Sequence, residues 1–220
     1  MQVTLKQAQA EAGAISTRNS KMPGSSFAIS AKACNVGSKL ALVEGSTCHK
    51  CYALKIQKMR PSVDQGWTAN LNKAQALIER DPKRWVSFMV FQIAKAALKT
   101  GQPYHRWFDS GDLQSLAMLE AIANICKATP EINHWLPTRE AKLVKEYLSK
   151  HGDLPANLVV RVSATMIGDK PMAYANTSTV HRKTDEPVGH VCPASKQGNA
   201  CQDCRACWSK AVPNVSYSLH

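Results

Sequence analysis

Apolar positions recur along the chain with changing periods, and those changes mark its elements. In WTANLNKAQALIE, Trp67, Leu71, Ala74 and Leu77/Ile78 share one face of a 3.6-residue helix. Asp81-Pro82 opens a second helix to about Lys99, with Asp81 as N-cap, Pro82 in the first turn and Gly101 as the stop. Beyond it, strand and helix patterns alternate. Tyr104–Asp109 (YHRWFD) predicts a strand, Leu113–Ala128 an amphipathic helix and Ile132–Leu136 (INHWL) a second strand. A helix over Thr138–Lys150, ending near Gly152, and a third strand at Leu158–Ser163 (LVVRVS) follow. Strand repeats roughly 25–28 residues apart imply parallel pairing with right-handed crossovers. The expected fold class is α/β: a partial βα (TIM-like) barrel or an open parallel sheet, with cysteine-rich N- and C-terminal loops. Residues 1–60, rich in Gly, Ser and Lys, read as loops plus one short strand near Ser26–Ala31. After Ser163 the chain turns irregular, with strands expected at Thr177–Arg182 and Gly189–Cys192 before a loop-like cysteine segment.

In such a sheet the loops after the strands gather at one end, where ligands bind. Here they read Ser110-Gly111-Asp112, Pro137-Thr138-Arg139 and Ser163-Ala164-Thr165. The glycine lets backbone approach a ligand. Asp112 and Thr138 also stand where helix N-caps belong, and as a cap Asp112 would tolerate Asn.

A chain of 220 residues, 44% hydrophobic, is expected to fold as a single domain over 1–220. Within it, 21–60 form a first cysteine loop, 67–165 the βα repeats and 188–208 a C-terminal cysteine cluster. No run is apolar for long enough to span a bilayer, and MQVTLKQAQAEAG lacks a signal-peptide pattern, so the expected place is the cytoplasm. Net charge is +12, and residues 1–60 hold nine Lys/Arg against Glu11 and Glu44. That excess suits a nucleic acid or nucleotide partner; the alternative is a solvated basic surface balancing an anionic cluster. No P-loop, dinucleotide fingerprint or Ser-His-Asp arrangement is present, no catalytic residue is assigned, and His105, His134 and His181 read as structural.

Eight cysteines in a reducing compartment point to metal rather than disulfides. Cys34, Cys48 and Cys51 form one group, Cys192, Cys201, Cys204 and Cys207 another, and Cys126 belongs to the core. Zinc prefers separated ligand pairs, whereas thiols at successive three-residue spacings resemble loops that wrap cubane clusters with a remote fourth ligand. One or two 4Fe–4S clusters are therefore expected, with zinc as the alternative, His49 or a distant residue completing the first site in that case. Three thiolates in the first group would leave one iron open for a substrate or cofactor. Cys192 serves as the fourth ligand of either group.

KMPGSSFAISAKAC, GSTCHKCYA, WFDSGDLQS, HWLPTRE, VVRVSATM and CQDCRACW together resemble the gene-product-eighty-eight family of bacteriophages, from about Lys21 to Trp208. That resemblance implies the cytoplasm of a phage-infected host. More distantly, the layout is similar to radical S-adenosylmethionine (SAM) enzymes, with C-x13-C-x2-C and SGD where those have C-x3-C-x2-C and GGE. This likeness implies a catalytic cluster on Cys34, Cys48 and Cys51, and an auxiliary cluster on Cys192, Cys201, Cys204 and Cys207. It further implies a SAM amino group at Ser110, Gly111 and Asp112, and its carboxylate and ribose at Arg139 and Ser163. The expected function is a radical-SAM-like enzyme acting on a nucleotide, nucleic acid or other anionic substrate. The alternatives are a non-catalytic, metal-stapled nucleic-acid-binding protein and an electron carrier with two clusters.

Overall fold

The computed structural model describes residues 3–17 and 19–219. Seven strands form one parallel sheet: β1 (Ser25–Phe27), β2 (Tyr104–Trp107), β3 (Asn133–Thr138), β4 (Leu158–Ser163), β5 (Thr177–His181), β6 (His190–Val191) and β7 (Asn214–Ser218). Their spatial order is β1-β2-β3-β4-β5-β7-β6, an open α/β sheet consistent with a partial βα barrel. Seven α-helices accompany it among the described residues: α1 (Leu5–Ala12), α2 (Asn35–Leu40), α3 (Tyr52–Met59), α4 (Pro61–Arg80), α5 (Pro82–Thr100), α6 (Leu116–Ala128) and α7 (Ala141–His151). Among the described residues no helix is long and apolar enough to cross a membrane.

Local signals set much of this. Asp81 caps α5 by accepting the Arg84 N–H at 3.0 Å, Pro82 fills the first turn, and Gly101 ends the helix at φ 64°. The apolar faces of α4 (Leu71, Ala74, Leu77, Ile78) and α5 (Trp85, Phe88, Met89, Ile93) are buried as their periodicity requires. Other boundaries differ. The first sixty residues hold three helices where loops are expected. α1 buries only Ala8 and Ala12, too little apolar contrast to show as periodicity. Tertiary bonds fix it instead: Trp85 and Gln92 donate to the carbonyls of Ala12 and Gly13 at 3.1 and 3.0 Å. β1 is shorter than expected, and β7 falls beyond the last expected strand. Five residues with two apolar positions carry little signal of their own, and β7 forms by pairing with β5 and β6.

The sheet has two covered faces. On the helical face Phe27, Trp107, Leu136, Val160 and Val162 pack with α4, α5 and α6 around Trp85. On the other face Trp135 and Val215 pack against Ala206, Cys207 and Trp208 of the C-terminal cysteine segment. Cys126 is fully buried in the helical core, as expected of a small apolar side chain.

His105 and His134 are register partners on β2 and β3, fully buried on the helical face. Each bonds a hydroxyl, Ser25 at 2.8 Å and Thr129 at 2.9 Å, so both are structural. Burial drives His105 well below the ordinary histidine range and His134 down to about 3. An unfolded chain takes up a proton on each near pH 6.5, whereas the native chain resists until far lower pH. Their neutral state thus contributes fully above pH 6.5, and that contribution is lost as pH falls from 6.5 towards 3. Between pH 7 and 4.5 the stability advantage of wild type over His134→Gln should shrink by about 2–3 kcal/mol in urea titrations. Parallel pH profiles for the two proteins would contradict this.

Candidate functional site

The first cysteine loop is built over the strand ends. Cys34 follows a 3-10 turn (Ala31–Ala33) and leads into α2. A Cβ placed on Gly37 would lie 3.6 Å from the sulfurs of both Cys34 and Cys48, so thiols distant in sequence converge on one place. Cys51 joins Cys48 through a tight turn, its N–H donating to the Cys48 carbonyl at 3.1 Å, with Lys50 in the left-handed region at φ 60°. The loop is pinned to the ends of β3 and β4. Thr47 N–H donates to the Thr165 carbonyl at 2.8 Å, and Arg139 Nε donates to Thr47 Oγ1 at 3.0 Å. His49 directs Nδ1 at the Ala41 carbonyl, 3.3 Å away.

A cavity of about 1000 Å³ opens at the carboxyl ends of the strands. Cys34, Cys48, Cys51, Ser110, Gly111, Asp112, Arg139 and Ser163, the whole expected first site, line it together. Their individual roles differ from expectation. Ser115, not Asp112, caps α6, accepting from Met118 N–H at 3.2 Å. The buried Asp112 carboxylate accepts three bonds of its own chain: Leu113 N–H at 2.7 Å, Thr138 Oγ1–H at 2.6 Å and Arg139 N–H at 2.9 Å. Burial raises its pKa, while these donors pull it back down. Thr138 likewise lies ahead of the α7 N-cap position, which Glu140 occupies, and ties the β3 exit to Asp112. Gly111, at φ 82°, is needed for a close approach within the chain: a Cβ there would lie 2.4 Å from Ile29 Cγ1 and 2.8 Å from the Ile29 carbonyl oxygen. Ser163 shares a hydroxyl–hydroxyl bond of 2.9 Å with Ser178.

The second group packs with Trp135, Trp208 and Tyr217 on the sheet face away from the helical core. Cys201 and Cys204 are also joined by a tight turn, with Cys204 N–H donating to the Cys201 carbonyl at 2.9 Å, but the left-handed residue is the second of the turn, Gln202 at φ 43°, where the first loop has the third, Lys50. Cys192 continues from β6 by donating its N–H to Ser216 of β7 at 2.9 Å. Cys207 lies 3.2 Å from the Tyr217 hydroxyl, and Cys204 lies 3.5 Å from His190 Nε2. Arg161 of β4, fully buried, donates to the carbonyls of Ala206, Cys207, Ser209 and Val212 and of Thr177.

Burial pushes the Cys34 thiol up to about 12, with Asp112, Cys48 and Cys51 adding to the rise and Arg139 opposing it. Burial raises Cys48 as well, against the pull of Arg139. In the second group burial raises Cys192 and Cys201 and takes Cys207 to about 12, and neighbouring cysteines add to each. Each set of thiols therefore shares one neighbourhood. Thiols this buried become thiolates readily only beside a cation, a role that bound metal fills. The donors are thus of the right chemistry for a thiolate-bound cluster. Among the described residues, no group of three or more His, Cys, Asp and Glu is arranged to hold a metal ion.

The cavity wall also includes Tyr52, Arg106, Asp109, Trp135 and Tyr217, none of which sequence reasoning singled out. A signal for Arg106 was present. Alternation in YHRWFD that buries His105 and Trp107 on one face must place Arg106 on the other.

No curated protein and no solved structure matches the chain. A family match covers residues 3–210, nearly the whole chain, and through it the chain belongs to the family described as Gene product 88.

Proposed function

We propose that the chain is an iron–sulfur protein whose cavity binds SAM or a similar cofactor beside Cys34, Cys48 and Cys51, in the manner of a radical-SAM-like enzyme. One observation carries this reading: three thiols and five strand-end residues, scattered over the sequence, line a single cavity at the carboxyl ends of parallel strands. A cluster spreads its thiolates over different irons, so its sulfurs stand farther apart than the ligands of one zinc ion. When bound, such a cluster with an open iron supplies one-electron chemistry to a cofactor at that iron. The chain's own residues bind and orient. Arg139, without a carboxylate in ion-pair contact among the described residues, suits the carboxylate of an amino acid moiety. The paired hydroxyls of Ser163 and Ser178 suit ribose. Asp112 holds the backbone that carries Arg139. Cys192, Cys201, Cys204 and Cys207 are assigned to an auxiliary cluster.

A second reading, a metal-stapled nucleic-acid-binding protein, is favoured by Lys50, Lys55, Lys58 and Arg60, all exposed on α3 or at its two ends. One experiment separates the two. Anaerobic reconstitution with iron and sulfide should give about eight irons per chain, two cubanes. The triple Cys34/Cys48/Cys51→Ala variant should keep about half of them and lose calorimetric SAM binding. Iron-loaded wild type that binds no SAM, yet binds DNA with steep salt dependence, would favour the second reading. A wild type that takes up no iron would defeat the iron–sulfur assignment itself.

A further inference from the structure

Arg106 stands apart from the residues already assigned in the cavity. It lies on β2, with its guanidinium carbon 4.5 Å from the centre of the Trp135 ring. That stacking fixes the plane of the fork and leaves its edge for hydrogen bonding. Its protein partners are uncharged: the Tyr52 hydroxyl is within hydrogen-bonding reach of the guanidinium. Nη1 meets the Met22 sulfur at 3.3 Å, a weak acceptor, and Nε is buried without a hydrogen-bond partner in the protein. No carboxylate forms an ion pair with it among the described residues. A part-buried guanidinium is ordinarily paired, because losing water without gaining a partner is costly.

The same strand exit holds two more unpartnered polar atoms at the cavity wall, Ser110 Oγ and Asp109 Oδ1. Ser110 is itself only 3% exposed. Arg106 and Arg139 also keep different company. Arg139 acts on Cys34 and Cys48, whereas Arg106 acts on Tyr52, Tyr217 and Cys201. The cavity therefore offers cations in two neighbourhoods, enough for two anionic groups.

Building on the reading of this cavity as a ligand site, we propose that Arg106, stacked on Trp135 in the cavity that Ser110 also lines, is an oxyanion subsite that receives the phosphate or carboxylate of the substrate. A fork held flat by an indole presents parallel N–H donors, the geometry that recognises such groups in bidentate fashion. The Ser110 hydroxyl adds a neutral donor at the same wall. Asp109 would disfavour a ligand of higher negative charge on its own side and accept a hydroxyl or amine proton from it. A hydroxylated monophosphate or carboxylate fits this set better than a polyphosphate does.

The test is calorimetric titration of the full chain with inorganic phosphate and, separately, with succinate, on wild type, Arg106→Gln, Arg106→Lys and Lys127→Gln. Iron content and thermal midpoint are measured on the same samples. Wild type should bind one of the two anions saturably, which identifies the source of the oxyanion. Arg106→Gln should weaken that binding at least tenfold, Arg106→Lys should weaken it less, and Lys127→Gln, at an exposed position of α6 away from the cavity, should leave it within about threefold. Binding by neither anion, or equal binding by wild type and Arg106→Lys and Arg106→Gln, overturns the subsite. Loss of iron or of thermal stability in both Arg106 variants, with anion affinity unchanged, would make Arg106 a counter-charge for Cys201 and also overturn it. Iron-free wild type that binds the anion through Arg106 would keep the subsite while removing the iron–sulfur reading. Iron-loaded wild type without anion binding would do the reverse.

Discussion

Replacing Arg161 with methionine is expected to remove most of the stability of this fold. All five N–H donors of the guanidinium are used, at 2.7 Å to Ala206, 2.9 Å to Ser209, 3.0 Å to Val212 and 3.1 Å to Cys207 and Thr177. Four of the five acceptors belong to the C-terminal cysteine segment, which has few apolar residues and covers the face of the sheet opposite the helices. Methionine keeps much of the volume and none of the donors. The carbonyls of Ala206, Ser209 and Val212 keep a second donor in Ser209 N–H, Val212 N–H and Asn176 Nδ2, so the loss lies in the charged bonds themselves. Each hydrogen bond to a charged group is worth about 1.5–3 kcal/mol, so losing five rivals the roughly 5–15 kcal/mol by which a domain of this kind is stable. Arg161→Met should therefore be recovered unfolded or with 192–212 open to protease. Arg161→Lys, with three donors, should fall between it and wild type. Circular dichroism melts and limited proteolysis measure both. A soluble Arg161→Met protein melting within about 5 °C of wild type would show that the segment is held by something else.

Asp112→Asn is the second large effect, and here the structure reverses what the sequence predicts. As a helix cap, Asp112 would accept Asn at little cost. As a buried carboxylate with three inward-facing donors, it cannot. Leu113 N–H and Thr138 Oγ1–H share one oxygen and Arg139 N–H takes the other, so an amide must set its NH2 against at least one donor. Hydrogen bonds to a charged group are each worth about 1.5–3 kcal/mol, and a donor facing a donor loses that and adds repulsion. A loss of about 3–5 kcal/mol in urea denaturation is expected. Arg139 should shift as well, since its backbone is held by Asp112 and its side chain by Thr47. Weakened SAM binding would then accompany lower stability. Stability within 1 kcal/mol of wild type would return Asp112 to a purely ligand-facing role.

Periodicity and punctuation in the sequence determined the parallel α/β sheet, the cap of α5, the paired C-x2-C turns and the core placement of Cys126. Those features rest on contacts between residues close in the chain, where a 3.6- or 2-residue repeat, an Asp-Pro or a Gly leaves a direct mark. The role of Asp112, the tight fit of Gly111 against Ile29, the fivefold grip of Arg161 and the place of β7 were decided only by the tertiary structure. Each depends on which strand ends become neighbours, and strand order and register set that through contacts between residues tens of positions apart. The cysteines show both sides. Their spacing marked two groups of thiols, but only the folding of the loops against β3 and β4 put Cys34, Cys48 and Cys51 at one cavity with Arg106, Arg139 and Ser163. A local pattern fixes the face a side chain takes on its own element; what it meets there is fixed by the packing of the other elements.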